Sequence, residues 1–284
     1  MRQPDQAEME RLLKGVDIPP CPAVLTRLQK ESASPDASLS VIATIIGSDV
    51  ALSASVLKVA NSAAFGLNRK VSSVQQALPV MGMRAISSLV AGIVLRNTLS
   101  GGSAPRMDRF WETTTLVAQL CARLTKEFRG VPADFAYTFG LFHDCGIAVL
   151  MRRFPDYRET LQIANNAENE SFTAIEDKRH ATNHAVLGYL LTRNWGLSED
   201  LCNAILLHHD IDVFAPEADA TAAKARTLVS LSALAEYYVN SCQRLAEDAA
   251  WQRMRAPVMA HLGISENDLF DLREIAFETL EGNA

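Results

Sequence analysis

All six histidines of this 284-residue chain lie in its second half, and several stand beside a carboxylate or each other. In Gly140-Leu141-Phe142-His143-Asp144-Cys145-Gly146 an apolar helix pattern turns polar for two residues, His143 and Asp144. His184 opens the run Ala185 to Leu191, with His180 one helical turn earlier if the helix extends that far. His208-His209-Asp210 closes an apolar helix that starts near Leu201. Imidazoles and carboxylates drawn from three helices suit a divalent metal such as iron, manganese or zinc, which accepts mixed nitrogen and oxygen ligands. A carboxylate shared by two such ions could activate water for phosphoester hydrolysis. Each piece also has a plainer reading. A lone His-Asp pair is commonly a satisfied core histidine, and a histidine near a helix C-terminus interacts with the exposed carbonyls. The second effect accounts for one member of the 208–209 doublet, not for a doublet followed by aspartate. Spacing alone does not show that the three helices converge. Two readings therefore stand: a metal site drawn from these imidazoles and carboxylates, or histidines that are merely satisfied in the core and at a helix end.

Other chemistries are disfavoured. No Gly-x-Ser-x-Gly elbow and no Walker phosphate loop is present. Cys145 adjoins the His-Asp pair but lies in a helix packing pattern, which favours an inert buried thiol. Cys21, Cys121, Cys145, Cys202 and Cys242 are odd in number and widely spaced, so neither a disulfide framework nor a zinc ribbon is expected. The net charge of −6 argues against a nucleic-acid partner, which calls for a clustered basic face. Arg84, Arg152 and Arg179 are the only guesses for a phosphate-binding cation. The polar start Met1-Arg2-Gln3-Pro4-Asp5 shows no secretory leader, and a cytoplasmic location is expected. The most apolar run, Ala85 to Leu95, is too short for a membrane span, which takes roughly 20 residues.

The elements that would position these side chains read as helices almost throughout. Val41, Ile42, Ile45 and Ile46 mark one apolar face, and Leu116, Leu120 and Leu124 another. Pro19-Pro20-Cys21-Pro22 is a stiff entry to a helix ending near Glu31, and Ser34-Pro35-Asp36 breaks it from the next. Val80-Met81-Gly82-Met83 reads as core. No alternating run supports a sheet, so the fold class is all-α. Ser100 to Pro105 forms a breaker-rich hinge. A second polar stretch, Phe214 to Thr221, precedes a helix around Leu228 to Val239, and the tail from about Glu247 holds two amphipathic helices.

The stretch from Ile18-Pro19-Pro20-Cys21-Pro22 through Leu57-Lys58-Val59-Ala60-Asn61-Ser62-Ala63-Ala64-Phe65-Gly66 resembles the N-terminal half of the HDOD domain family. Val71-Ser72-Ser73-Val74-Gln75-Gln76-Ala77-Leu78 and Met81-Gly82 continue the likeness. The second half resembles the HD phosphohydrolases, of which HDOD domains are divergent relatives. The resemblance implies an HDOD domain over 16–242, with a helical N-terminal subdomain (16–99) packed on an HD-like bundle (106–242). Residues 246–284 would form a C-terminal extension.

An active HD site carries an early histidine, the His-Asp pair, later histidines and a late aspartate. His143 and Asp144 match the pair; His184, His208 and His209 match the later histidines of the related HD-GYP phosphodiesterases. Thr113 stands where the early histidine is expected, and Ala235-Glu236 aligns with the late aspartate. Ile147 replaces a lysine that HD-GYP enzymes carry three residues after the paired aspartate. The resemblance thus implies a degenerate site, able to hold one metal through His143, Asp144, His184 and His208 with His209 close by, and no catalytic residue is assigned. The expected role is a bacterial signal-transduction module acting on signalling proteins, with a shallow cleft between subdomains as the partner or nucleotide-like ligand surface. The alternative is a metal-dependent phosphohydrolase acting on a nucleotide or cyclic dinucleotide.

Overall fold

Pro22 holds an extended backbone (φ −61°, ψ 140°) and cannot donate within a first turn, so helix α1 (Ala23–Ser32) starts directly after it, burying Leu25 and Leu28. In the computed structural model, which describes residues 18–100, 107–167, 170–215, 222–243 and 249–281, every regular element is helical, and no strand occurs among the described residues. The hinge expected at 100–105 lies, past Ser100, outside them.

Helix α2 (Leu39–Gly47) buries Ile42, Ala43, Ile45 and Ile46, although Val41 of the expected apolar face is exposed. Helix α3 (Val50–Ala60) is capped by the Asp49 carboxylate, which accepts from the Leu52 N–H at 2.9 Å. The connection that follows is clamped at both ends of one peptide pair. Asn61 donates from Nδ2 to the Val71 carbonyl and accepts the Val71 N–H, each at 2.8 Å. This clamp presents Phe65 to Tyr137 of the second half, ring centroids 5.5 Å apart.

Helix α4 (Val74–Ser100) is 27 residues long and is broken at Gly82, whose φ of 83° is accessible chiefly to glycine. By length and composition alone it passes the test for a membrane-crossing helix, which is weak evidence and leaves the expectation drawn from the shorter run 85–95 in place. Its inner face, however, is packed into the protein through Ile86, Leu89, Val90, Leu95 and Leu99. Near the break Val80 is 62% exposed and Met81 and Met83 are only half-buried, so this segment is less a core element than its sequence suggests.

The second half contains α5 (Asp108–Leu124), α6 (Ala133–Phe142), α7 (Cys145–Arg153), α8 (Tyr157–Asn165), α9 (Phe172–His180), α10 (His184–Asn194), α11 (Glu199–Leu207), a short 3-10 turn (Ile211–Phe214) and α12 (Ala222–Gln243). Helix α6 lies between α4 and α5, its Leu141 side chain seated over Gly92, and also touches α11 and α12. The tail forms α13 (Ala249–Leu262) and α14 (Glu266–Glu281). Both pack on α12, with Trp251, Val258, Leu272 and Ala276 in the common core, so these helices complete the bundle. Cys121, Cys145 and Cys202 are buried as expected, whereas Cys242 is exposed.

The two halves are joined by a second contact around Trp195. Its indole Nε1–H donates to the Pro19 carbonyl at 2.9 Å, Gln29 donates to its carbonyl at 2.7 Å, and its ring meets Phe142 edge-on. Trp195→Ala is expected to cost about 3–5 kcal/mol, the range for emptying a large buried aromatic site. Denaturant unfolding followed by circular dichroism checks it; a loss below about 1 kcal/mol, typical of a surface change, would contradict this account of the seam.

Candidate metal centre

His143 caps the C-terminus of α6 and is 1% exposed. Its Nδ1–H donates to the Gly140 carbonyl at 2.9 Å, while Nε2 faces Glu236 Oε1 at 2.6 Å and Asp144 Oδ2 at 3.5 Å. Burial opposes the imidazolium, but the two carboxylates outweigh it and push His143 up to about 9. Asp144 follows as the N-cap of α7. Burial would raise its carboxyl, yet the facing histidines hold it well below the usual carboxylate range.

His184 is fully buried at the start of α10. Three features fix it. Asn183 caps the helix by accepting the Val186 N–H at 3.0 Å and donates to Asp177 at 2.9 Å. Glu176, fully buried on α9, accepts the His184 Nδ1–H at 2.6 Å and its backbone N–H at 3.2 Å, and also accepts from the Tyr157 hydroxyl. Gly146 lets the first turn of α7 lie directly on the His184 backbone, because a Cβ there would sit 2.0 Å from the His184 carbonyl oxygen.

The tautomers follow from these partners. Glu176 and the Ile205 carbonyl, 2.6 Å from His208 Nδ1, can only accept, so both imidazoles carry hydrogen on Nδ1 and point an Nε2 lone pair inward. His184 Nε2 lies 3.1 Å from His208 Nε2 and 3.0 Å from His209 Nε2. Asp144 Oδ1 is 3.4 Å from both His184 Nε2 and His208 Nε2. Neutral lone pairs cannot satisfy one another, so the arrangement calls for a proton or a metal ion between them. Ligands about 2.1 Å from one ion lie about 3.0 Å apart at octahedral and about 3.4 Å at tetrahedral angles, so the observed spacing fits a divalent ion. Without metal, a proton on His184 meets the same need. Burial disfavours it, but Glu176 and Asp144 outweigh burial and raise the His184 pKa, while burial and the neighbouring imidazoles depress His208 and His209.

The five expected ligands are therefore brought together, but in two groups. Asp144, His184, His208 and His209 form one; His143, Asp144 and Glu236 form the other, with Asp144 common to both. Glu176 and Tyr157 were missed by sequence reasoning, since Glu176 sits in a run of charged residues (Glu176-Asp177-Lys178-Arg179-His180) that reads as solvated surface. His180 is not a neighbour on the helix of His184: Ala181 is left-handed (φ 55°) and ends α9, and His180 Nε2 meets Thr160 Oγ1 at 2.7 Å. Asp210 caps the 3-10 turn by accepting the Asp212 N–H.

A cavity of about 310 Å³ opens onto Asp144, His143, His184, His209 and Glu236. Phe110, Phe172, Thr113, Ile147, Asn165 and Asn240 line it, with Ala250 of the tail. Every lining residue belongs to the bundle or the tail, so the pocket is inside the second half and not in a cleft between subdomains. Arg84, Arg152 and Arg179 are absent from the lining. Arg84 pairs with Asp134 at 3.0 Å, and Arg179 with Thr160 and Glu159. Arg109 is the basic side chain at the wall.

Because a divalent ion must displace the His184 proton, its affinity is expected to fall about tenfold per pH unit once pH drops below the raised His184 pKa, and to level off above it. Zinc titration calorimetry in two buffers of different ionisation heat checks the sign: proton release on binding is expected, and proton-neutral binding throughout the acid range would contradict it.

Comparison with known proteins agrees with this architecture. The HDOD domain family model matches residues 18–211, roughly two-thirds of the chain. An uncharacterized protein of Treponema pallidum is 29% identical over 203 residues, covering 71% of this chain; the match spans 39% of that relative's length. Among solved structures, a candidate phosphohydrolase from Shewanella amazonensis aligns at TM-score 0.69 with 22% identity, over 96% of this chain and 98% of that one. An HDOD domain protein of unknown function from Geobacter sulfurreducens gives 0.69 with 21% identity, over 97% and 94%. A candidate signal transduction protein from Marinobacter aquaeolei gives 0.68 with 20% identity, over 100% and 60%.

Proposed function

Since the chain belongs to the HDOD domain family, we propose that it is a signal-transduction module whose bundle holds a divalent cation and a small ligand without hydrolysing a phosphoester. The observation that carries this reading is the character of the cavity wall. Ile147 lines it beside the carboxylates of Asp144 and Glu236, and apart from the histidines of the cluster the basic side chain among the described residues at the wall is the exposed Arg109 in the first turn of α5. Stabilising developing charge on a transferred phosphoryl group calls for cations or donors aimed at it, commonly the largest contribution to such catalysis. An aliphatic side chain at that place supplies none. Asp144, His184, His208 and His209 would hold the ion, which when bound would act as a Lewis acid toward a ligand or a coordinated water.

The alternative, a metal-dependent phosphohydrolase acting on a nucleotide or cyclic dinucleotide, is favoured by the cavity itself, because it delivers a small molecule to the candidate ligand groups. Purified protein assayed for metal content and for turnover of a generic phosphodiester and cyclic dinucleotides separates the two. Bound metal without turnover is expected. Turnover that His143→Ala abolishes would sink the non-catalytic reading.

A further inference from the structure

We infer that α8 and α9 form a hinged flap, which opens from the bundle as one unit and whose closure is coupled to occupancy of the centre. The coupling rests on the proposed cation site; the hinge does not.

The pair is held together from within. Tyr157, Thr160 and Ala164 of α8 are buried, as are Thr173, Ile175 and Glu176 of α9. Thr160 Oγ1 accepts from Arg179 Nε at 2.8 Å and meets His180 Nε2 at 2.7 Å, and the His180 ring lies 4.5 Å from that of Phe154. The attachments to the rest of the chain are fewer. The pair packs chiefly on α7 and α10, the helices before and after it. Arg253 of α13 donates to the Glu170 carbonyl at 2.6 Å. Over the centre, Phe172 stacks on His209 and stands edge-on to His184, ring centroids 5.8 and 5.2 Å apart, and Glu176 accepts from His184.

Strain collects where the pair joins α10. Ala181 ends α9 at φ 55°, the one non-glycine residue with positive φ among the described residues, at a place where helix ends favour glycine. The next side chain, Thr182, buries its hydroxyl with no hydrogen-bond partner among the described residues. Both costs belong to the closed arrangement and fall away when the chain turns at 181–182. At the other end Phe154 is extended (φ −117°, ψ 113°) ahead of Pro155, which separates α7 from α8. Opening about these two points carries Phe172 and Glu176 off the histidines and widens the cavity that Leu161, Asn165 and Phe172 wall. An ion that draws on a His184 oriented by Glu176 is bound by the closed flap, and so holds it shut.

Native-state hydrogen exchange of the full chain, with and without Co²⁺, tests both parts. Amides of α8 and α9 are expected to exchange together and ahead of α5, α6 and α12. Co²⁺ at about 100 times its dissociation constant should slow them on the order of 100-fold, the mass-action factor for a ligand of the closed state alone. Ala181→Val, at an exposed position where a β-branched side chain resists positive φ, should speed them about tenfold in the absence of metal. Ala181→Gly, which accepts φ 55° without strain, should slow them. Exchange of α8 and α9 only with global unfolding, or rates indifferent to both substitutions, would overturn the hinge. Bound Co²⁺ that leaves their exchange unchanged would overturn the coupling. No Co²⁺ bound at millimolar ion would instead overturn the cation site, while the two substitutions still decide the hinge.

Discussion

Gly146→Ala is expected to lower divalent-metal affinity on the order of 100-fold, the upper end of what an outer-sphere change does to a metal site. The added Cβ would meet His184 O, C and Cα at 2.0, 2.7 and 2.8 Å. These are backbone atoms at a helix start, and no side-chain rotation relieves the clash. Either α7 or α10 must shift, carrying Asp144 or His184 with it. The fold itself is expected to survive with a loss of about 1–3 kcal/mol, the usual cost of overpacking. Competition against a chromogenic chelator measures the affinity. Gly47→Ala, whose Cβ would meet nothing within 4 Å, is the control and should leave metal binding unchanged. Affinity retained within a factor of two in Gly146→Ala would show that the two helices yield, contrary to the packing described.

The second large effect is expected at Glu176. Its carboxylate is fully buried and accepts from the Tyr157 hydroxyl, from His184 Nδ1–H and from the His184 backbone. Glu176→Ala strands these donors, each costing about 1–3 kcal/mol if nothing replaces the acceptor. It also removes the group that fixes the His184 tautomer, so metal affinity should fall about 10–100-fold. Tyr157→Phe removes one of the donors and should cost less on both counts. A merely structural role for Glu176 would lower stability yet leave the pH dependence of metal binding in place. The expected result is that Glu176→Gln moves that dependence to lower pH, because the main charge raising the His184 pKa is gone. An unmoved profile would contradict the positioning role.

The difference between these two sites also marks where sequence reasoning stopped. Helical periodicity placed the 208–209 doublet at a helix end, where the structure has it, but read His143 and His184 only as parts of apolar helical runs; both also stand at helix ends. Convergence was not legible, because it depends on how α7 lies on α10, a contact set by Gly146, and a glycine signals nothing in a periodicity. Glu176 was hidden for a related reason: its burial comes from Tyr157 and His184, nineteen and eight residues away in sequence, while its immediate neighbours are charged. The N-terminal signature was recognisable as a pattern long before its role was. Asn61 and Phe65 are explained only by the clamp on Val71 and the ring contact with Tyr137. The tail reads in sequence as an extension, since its amphipathic faces do not say what covers them. In the fold it supplies Ala250 to the cavity and Trp251 and Met254 behind His208 and His209.

Helix α6 has one flank on α4 of the N-terminal subdomain and ends in His143, next to Asp144. Were the N-terminal helices to seat in two ways, α6 is the element through which that equilibrium and occupancy of the centre would be linked. Linkage is reciprocal: if a bound ion changes the seating constant by some factor, a protein that grips the N-terminal subdomain changes the ion's affinity by that same factor. Through that helix a protein partner and the centre could act on one another with or without any chemistry at the site.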